Sequence, residues 1–516
     1  MAAAPAAAKR AEPDVPVATI LSAYDRATHA ADMKSYVAEG TLVGEGLTGT
    51  FKTWRAGDDE RDDENLGPRH ETTLHLADRI FVRNANGNVR ELRGYLRRRG
   101  LTEDLIDSGD FVKHPELTRF VGWGDAGGAR AWRLEVNAQG GVAETLWIDA
   151  RSGLPLRLEF LDGDGPSYVD YADWRDVRGR KIAFRSTITD GNHEFDTVEQ
   201  TTSVAIDVPV DPATFAPLIA RKLGTDRIHT LPMIEREGHF GVTVRIADRD
   251  WFFLLDTGAQ SILVDGAVLK AAGVDGTGAL EVRGATRSGG LRVATLPGIE
   301  LDGARLDDVV VSSIDLGKSM SGGIRFDGIL GYPFFASALV EMDFARKLLR
   351  FGPPGSFVPS GNRVELDVDR ELAEATFRLD DRLDAPFIVD TGNGGEMFLY
   401  RPFVSAHPGI VPTSTAATWN YGLGGANAAY RTTLGTLELG GVQLYHRSVD
   451  VVLADQGAFA DRIDAGNVGL GVLRNFVVTF DLGGGALYLQ PGSAFDDGRR
   501  RVAQVPPTRR IPATRR

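Results

Sequence analysis

Two short stretches hold the residues best suited to chemistry. Residues 252–260 read FFLLDTGAQ, and residues 386–394 read PFIVDTGNG. In each, apolar residues run into Asp-Thr-Gly: Asp256, Thr257 and Gly258 in the first, and Asp390, Thr391 and Gly392 in the second. An apolar strand holds the acid at the end of a rigid element. The glycine lets the chain turn sharply and lets a second backbone come close. The threonine hydroxyl can donate to and accept from main-chain groups, which locks the turn. Two such turns related by an approximate two-fold axis would bring two carboxylates together. Like charges about 3 Å apart cannot both ionise, so the pair would hold one proton. The ionised carboxylate can then activate a water while the protonated one polarises a carbonyl, which is general acid–base hydrolysis of an amide without metal or covalent intermediate.

The elements around the two turns repeat. From about residue 228 each copy has two strands leading to its Asp-Thr-Gly, HFGVTVRIADRDWFFLLDTG and EATFRLDDRLDAPFIVDTG. Each later has a glycine-containing apolar turn, FDGILGYPFF and NVGLGVLRNF, and each closes with a strand pair around an Asp, Asp343 or Asp481. Asp256 to Gly331 is 75 positions and Asp390 to Gly471 is 81; Asp343 and Asp481 stand 138 apart, against 134 for the two motif acids. This is an internal duplication with only two copies, not a solenoid.

On these residues the segment 228–491 resembles the aspartic peptidases of the pepsin and retropepsin type. The resemblance rests on Asp256-Thr257-Gly258-Ala259, on Asp390-Thr391-Gly392, and on the turns Ile329-Leu330-Gly331 and Gly469-Leu470-Gly471. It implies that Asp256 and Asp390 are the catalytic pair and that Thr257 and Thr391 interlock two lobes beneath them. It also implies a hairpin flap over the cleft. The segment TWNYGLGGANAAYR supplies the flap candidate Tyr421, and VRGATRSGGLRVATL reads as a hairpin turning at Gly289-Gly290. The second motif departs from the pattern: Asn393-Gly394-Gly395 follows it, where such peptidases usually carry Ser, Thr or Ala. Neither Ala259 nor Asn393 offers a hydroxyl, so fewer donors are expected at the carboxylates and both ionisations should move up. The expected rate is bell-shaped in pH, with an optimum at about pH 5 to 6.5.

Upstream the pattern changes. Residues 16–30 carry Val17, Ile20, Leu21 and Tyr24 at helical spacing behind Pro16. Period-two alternation follows to about residue 191, as in TTLHLADRIFVRN, ARAWRLEVNA and KIAFRSTITDG, interrupted by a helical piece at roughly 102–120. Pro209, Pro212 and Pro217 mark a boundary. Through LWIDARSGLPLRLEF and YADWRDVRGRKIAFRSTI this block resembles the periplasmic lipoprotein carriers. That resemblance implies a curved antiparallel sheet wrapped round helices and a cavity for an acyl chain or apolar peptide.

The expected fold class is therefore mainly β: a curved antiparallel sheet with helices over 16–217, then a bilobal pepsin- or retropepsin-like β-barrel unit with lobes at 228–355 and 360–492. Residues 1–15 and the basic, Pro-rich 493–516 read as disordered. The Ala- and Pro-rich start resembles the stretch after a cleaved export signal, so a periplasmic or secreted protein is expected. With 58 Lys and Arg against 71 Asp and Glu, the net charge of −13 argues against nucleic-acid or anionic-membrane binding. No apolar run approaches the ~18 to 20 residues of a membrane span. The chain has no cysteine, which excludes disulfides and thiol chemistry. Gly122, Gly124 and Gly127 match a dinucleotide fingerprint, but a strand follows at once, so no nucleotide site is assigned. His70 and His75 read as neighbours along a strand rather than a metal cluster, and the acidic run 57–65 reads as a solvated loop. No cofactor and no metal are expected. The partner expected is a peptide or protein substrate, and the chain should work as a monomer, because it supplies both motifs. Two rival readings remain: a non-catalytic peptide- or lipid-binding protein on the same scaffold, and an N-terminal block that is a prosegment covering the cleft.

Overall fold

The computed structural model describes residues 13–319 and 325–499. Most of the N-terminal and C-terminal stretches expected to be disordered, 1–12 and 500–516, lie outside the described residues. Residues 493–499, counted with the tail, pack: Phe495 meets Phe476 edge-on at 5.6 Å, and the Tyr445 amide donates to the Asp497 carbonyl at 2.7 Å. No helix among the described residues is long and apolar enough to cross a membrane.

The fold is mainly β. Residues 35–206 form one 13-stranded antiparallel meander whose first strand, Ser35–Gly44, returns to pair with its last, Thr197–Ile206. The helix Val17–Thr28 buries Ile20, Leu21 and Tyr24 against Trp132, Leu134 and Ile148 of this sheet, as its apolar spacing predicts. The second helix runs Tyr95–Asp107, and the strand Thr118–Ala126 starts where helix was expected. The early start has a tertiary cause. The Asp369 carboxylate, from the far end of the chain, accepts the Arg93 and Leu96 amides at 2.7 and 3.0 Å and so caps the helix from outside. The acidic run is not a loop: Asp59–Leu66 is a strand, with Asp62 bonded to Thr53, Asp63 to Thr72, and Glu60 paired with Arg55. Cross-strand partners make an acidic strand tolerable where local composition argues against it. Gly122 and Gly124 lie on a strand, as do His70 and His75.

The duplication is plain in the topology. The first copy forms an eight-stranded sheet and the second a seven-stranded sheet. Each is closed by one extra pairing, Arg245 with Glu300 and Arg378 with Glu438. In each, the strand before Asp-Thr-Gly runs parallel to the later glycine-containing strand: Leu254 pairs with Ile329, and Ile388 with Asn467. That register corrects the sequence alignment. Gly331 begins the helix Tyr332–Ser337, and its counterpart is Gly469, which begins Leu470–Leu473; Gly471 lies inside that helix. A six-stranded sheet joins the copies. Its centre is the antiparallel pairing of Leu339–Asp343 with Phe476–Asp481, one strand from each. Phe335, Val340, Phe351, Phe377, Phe387 and Phe480 belong to one apolar core that runs through both copies, so they are a single packed body.

The N-terminal sheet is docked on that body by buried polar contacts. Arg90 donates to the Asp369 carbonyl and to Glu371, both at 2.9 Å, and Asn86 exchanges two 2.9 Å bonds with the main chain of Val310.

Candidate active site

Each strand before Asp-Thr-Gly ends because the chain turns at the glycine. The Asp256 amide donates to the Leu330 carbonyl at 3.1 Å and the Asp390 amide to Val468 at 2.9 Å, so both acids leave their sheets at the same register. The threonines then cross. The Thr257 amide donates to Thr391 Oγ1 at 3.0 Å and the Thr391 amide to Thr257 Oγ1 at 3.1 Å. The hydroxyls themselves donate to the carbonyls of Val389 and Leu255, at 2.6 and 2.9 Å. Both threonines are buried, at 2% and 1% exposure, so every donor in this lattice must find its partner in the other copy.

The interlock brings the acids together. A Cβ built on Gly258 would lie 2.6 Å from the Asp390 carboxyl carbon, and one on Gly392 would lie 2.4 Å from that of Asp256. Each carboxyl thus lies over the other motif's glycine, and only glycine leaves room for it. The two carboxyls are close enough to act on each other's ionisation. Burial pushes both above the usual carboxylate range, and at Asp390 the charge of Asp256 adds to the rise. Such a pair holds one proton between its members.

The donors are unequal. Asp256 Oδ1 accepts the Gly258 amide at 2.9 Å. Asp390 Oδ1 accepts the amides of Gly392 and Asn393 at 2.8 and 3.1 Å, and its Oδ2 accepts Asn467 Nδ2 at 2.8 Å. Asn393, expected to leave the second motif short of donors, is bonded through its side chain to Asn467 at 2.7 Å. Asn467 was not legible as a site residue, because only the parallel pairing with Ile388 carries it under Asp390.

The pair lies on the floor of a cavity of about 880 Å³. Two hairpins roof it. In the first copy the turn is Gly284–Thr286, between Thr277–Arg283 and Arg287–Leu301, not the expected Gly289-Gly290, which lies within the second of these strands. In the second copy Ala416–Gly422 and Gly425–Leu439 turn at Leu423-Gly424. The tips bond to each other: the Ala285 amide to the Leu423 carbonyl at 2.6 Å, and Thr286 Oγ1 to the Gly424 carbonyl at 2.7 Å. Tyr421 lines the cavity two residues before this tip, 57% exposed. The N-terminal sheet supplies another wall through Phe160, Ile188 and Phe195. Its carboxylates also hold the first hairpin. Arg287 makes a two-bonded pair with Asp164, at 3.0 and 2.5 Å, and pairs with Asp190; Arg283 pairs with Asp162 at 2.9 Å. Asp164 also accepts the Gly457 amide of the second copy at 2.6 Å.

A second cavity of about 510 Å³ opens in the N-terminal sheet. Tyr36, Phe51, Tyr171 and Trp174 line it, but so do Glu60, Asp62, Glu103 and Asp107, so its wall is mixed rather than uniformly apolar. No group of His, Cys, Asp and Glu suited to a metal ion occurs among the described residues.

Residues 242–334 match a family model described as aspartyl protease; the segment contains the first Asp-Thr-Gly and the Gly331 turn. No curated protein matches the chain. Among solved structures, the aspartic proteinase from Irpex lacteus is 12% identical with a TM-score of 0.35, covering 52% of this chain and 98% of its own. A LolA superfamily protein from Nitrosomonas europaea is 13% identical with a TM-score of 0.29, covering 39% and 98%. A DUF1329 family protein from Desulfovibrio piger is 17% identical with a TM-score of 0.29, covering 39% and 97%. At the level the family match reaches, the first copy is aspartyl protease-like.

Proposed function

We propose that the chain is an aspartic endopeptidase in which Asp256 and Asp390 are the catalytic pair. The observation that carries this reading is the reciprocal threonine interlock, which seats each carboxyl over the other motif's glycine. A scaffold for binding alone has no need of two desolvated acids brought face to face, which is a costly arrangement. In the proposed reaction a water lies between the acids. The ionised carboxylate takes its proton as the water oxygen attacks the peptide carbonyl, and the protonated acid gives its proton to the carbonyl oxygen. The acid that took the water proton then gives it to the amide nitrogen while the other, now ionised, takes a proton from a gem-diol hydroxyl; the C–N bond breaks to carboxylic acid and amine, and the pair again holds one proton. Thr257 and Thr391 hold the geometry and do not touch substrate; Gly258 and Gly392 leave the room. Tyr421, on the second hairpin, is the flap residue proposed to cover the substrate.

The N-terminal sheet is read as a permanent wall of the chamber, not a removable prosegment. Buried contacts such as Arg90 with Glu371 and the Asp369 cap on the helix Tyr95–Asp107 favour this. Its own cavity is proposed to hold an apolar segment with a polar or basic end. The test is incubation of the purified chain with an unfolded protein and with short peptides, read by mass spectrometry. Cleavage at internal bonds, blocked by a peptide carrying a hydroxyl-bearing transition-state isostere, supports the reading. Tight isostere binding without cleavage would favour the non-catalytic alternative.

A further inference from the structure

Resting on that reading, we infer that Asn393 and Asn467 are positioning residues forming a one-way amide relay that stabilises the charged form of Asp390. The relay starts at a group whose role is fixed. The Gly395 backbone N–H can only donate, and it donates to Asn393 Oδ1 at 2.8 Å. The other end of the Asn393 amide is therefore its NH₂, which donates to Asn467 Oδ1 at 2.7 Å. The Asn467 amide is oriented in turn, and its NH₂ donates to Asp390 Oδ2 at 2.8 Å. Flipping either amide would face donor with donor or acceptor with acceptor. Both side chains are buried, at 7% and 3% exposure, so water does not readily repair such a mismatch.

The consequence is chemical. Asp390 accepts three N–H groups across its two oxygens, one of them from the relay, whereas Asp256 accepts the Gly258 amide and is also lowered by the Gly392 amide. Donors to a carboxylate favour its charged form, so the relay opposes the rise that burial and the charge of Asp256 impose on Asp390. The first copy has no such relay, since Ala259 and Ile329 occupy the matching positions. Among other titratable groups, His239, on the strand His239–Ile246, favours the charged form of Asp256, and the charge of Asp390 raises Tyr400. Farther out on the chamber wall lie Glu237, Glu45, and the paired Arg431 and Asp450. Arg283, Glu281, Asp162 and Asp190 form the remaining charged group there. None of these is part of the amide chain.

The test makes the second copy resemble the first, with Asn467→Ile and, separately, Asn393→Ala. Two readouts are taken: kcat/KM against pH on a short peptide, and carboxyl ¹³C titration of Asp-labelled protein. Loss of one donor to an ionised carboxylate should raise the Asp390 midpoint, and the limb of the rate profile that it sets, by about one pH unit in Asn467→Ile. Asn393→Ala, which only frees the Asn467 amide to turn, should give a smaller rise. KM should stay within about two-fold, because neither side chain is placed to touch substrate. If Asn467→Ile does not fold, Asn393→Ala still interrupts the relay. Unmoved limb and midpoint in a folded variant overturn the relay. Absence of cleavage by the wild-type chain overturns the peptidase reading instead, while the carboxyl titration still decides the relay.

Discussion

The two copies of the Asp-Thr-Gly plan agree where they touch each other and differ where each faces its own sheet. The threonine bonds are the same in both directions to within about 0.3 Å, at 3.0 and 3.1 Å for the amides and 2.6 and 2.9 Å for the hydroxyls. One turn is backed by Ala259 and Ile329, the other by Asn393 and Asn467. Symmetry is needed to meet at an axis. Asymmetry is what lets two chemically identical acids take different roles, because environment alone separates their ionisation.

The largest effects should come from the acids. Asp256→Asn and Asp390→Asn should each lower kcat/KM by about 10³-fold or more while the protein stays folded, since each removes a proton-transfer group. Peptide cleavage followed with circular dichroism checks this, and a folded variant retaining most of its activity breaks the pairing of the two copies. Next are the threonines. Thr257→Val and Thr391→Val each leave a buried amide without its acceptor and should cost about 1–3 kcal/mol. The comparison requires the two costs to be nearly equal in urea melts. A large inequality would show that one copy carries the interlock.

A smaller effect is expected at the N-terminal wall, which holds only the first hairpin by its arginines. Asp164→Ala should speed hydrogen exchange at Ala285 several-fold and at the strand of Tyr421 less. Equal change at both would mean that the hairpins move as one. The pH sign follows from Asp164. Burial raises this carboxyl, but the Arg287 guanidinium and the Gly457 amide outweigh it and hold it below the usual range. A depressed folded value gives stability that is present above the ordinary carboxylate pKa and lost as pH falls through the folded value. The wall contact is therefore closed at mildly acidic pH and loosens only in strong acid.

Much of this was legible in the sequence because it is local. Apolar residues before Asp-Thr-Gly, a glycine after it, and a second copy 134 residues on specify both turns and their kinship. What the sequence hid is set by contacts between distant segments. Asn467 becomes a site residue only through a parallel pairing 79 residues from Ile388. The first hairpin turns at Gly284–Thr286 rather than at Gly289-Gly290, and partners from the other copy, Leu423 and Ala458, bond that turn. The helix Tyr95–Asp107 begins early because Asp369 caps it from outside. The strand Asp59–Leu66 reads as loop until its cross-strand partners are known.

The central claim is that Asp256 and Asp390 form one proton-sharing site, and the pH dependence of kcat/KM on a short peptide tests it most directly. A short peptide excludes unfolding of a protein substrate as the cause of any trend. Both acids are raised by burial, so the ionisation that frees the base should fall above the ordinary carboxylate range, and loss of the remaining proton higher still. The account predicts a bell with its maximum at about pH 5 to 6.5. A rate still rising below pH 4 would contradict the raised pair, and a rate flat through pH 9 would contradict a carboxylate pair altogether.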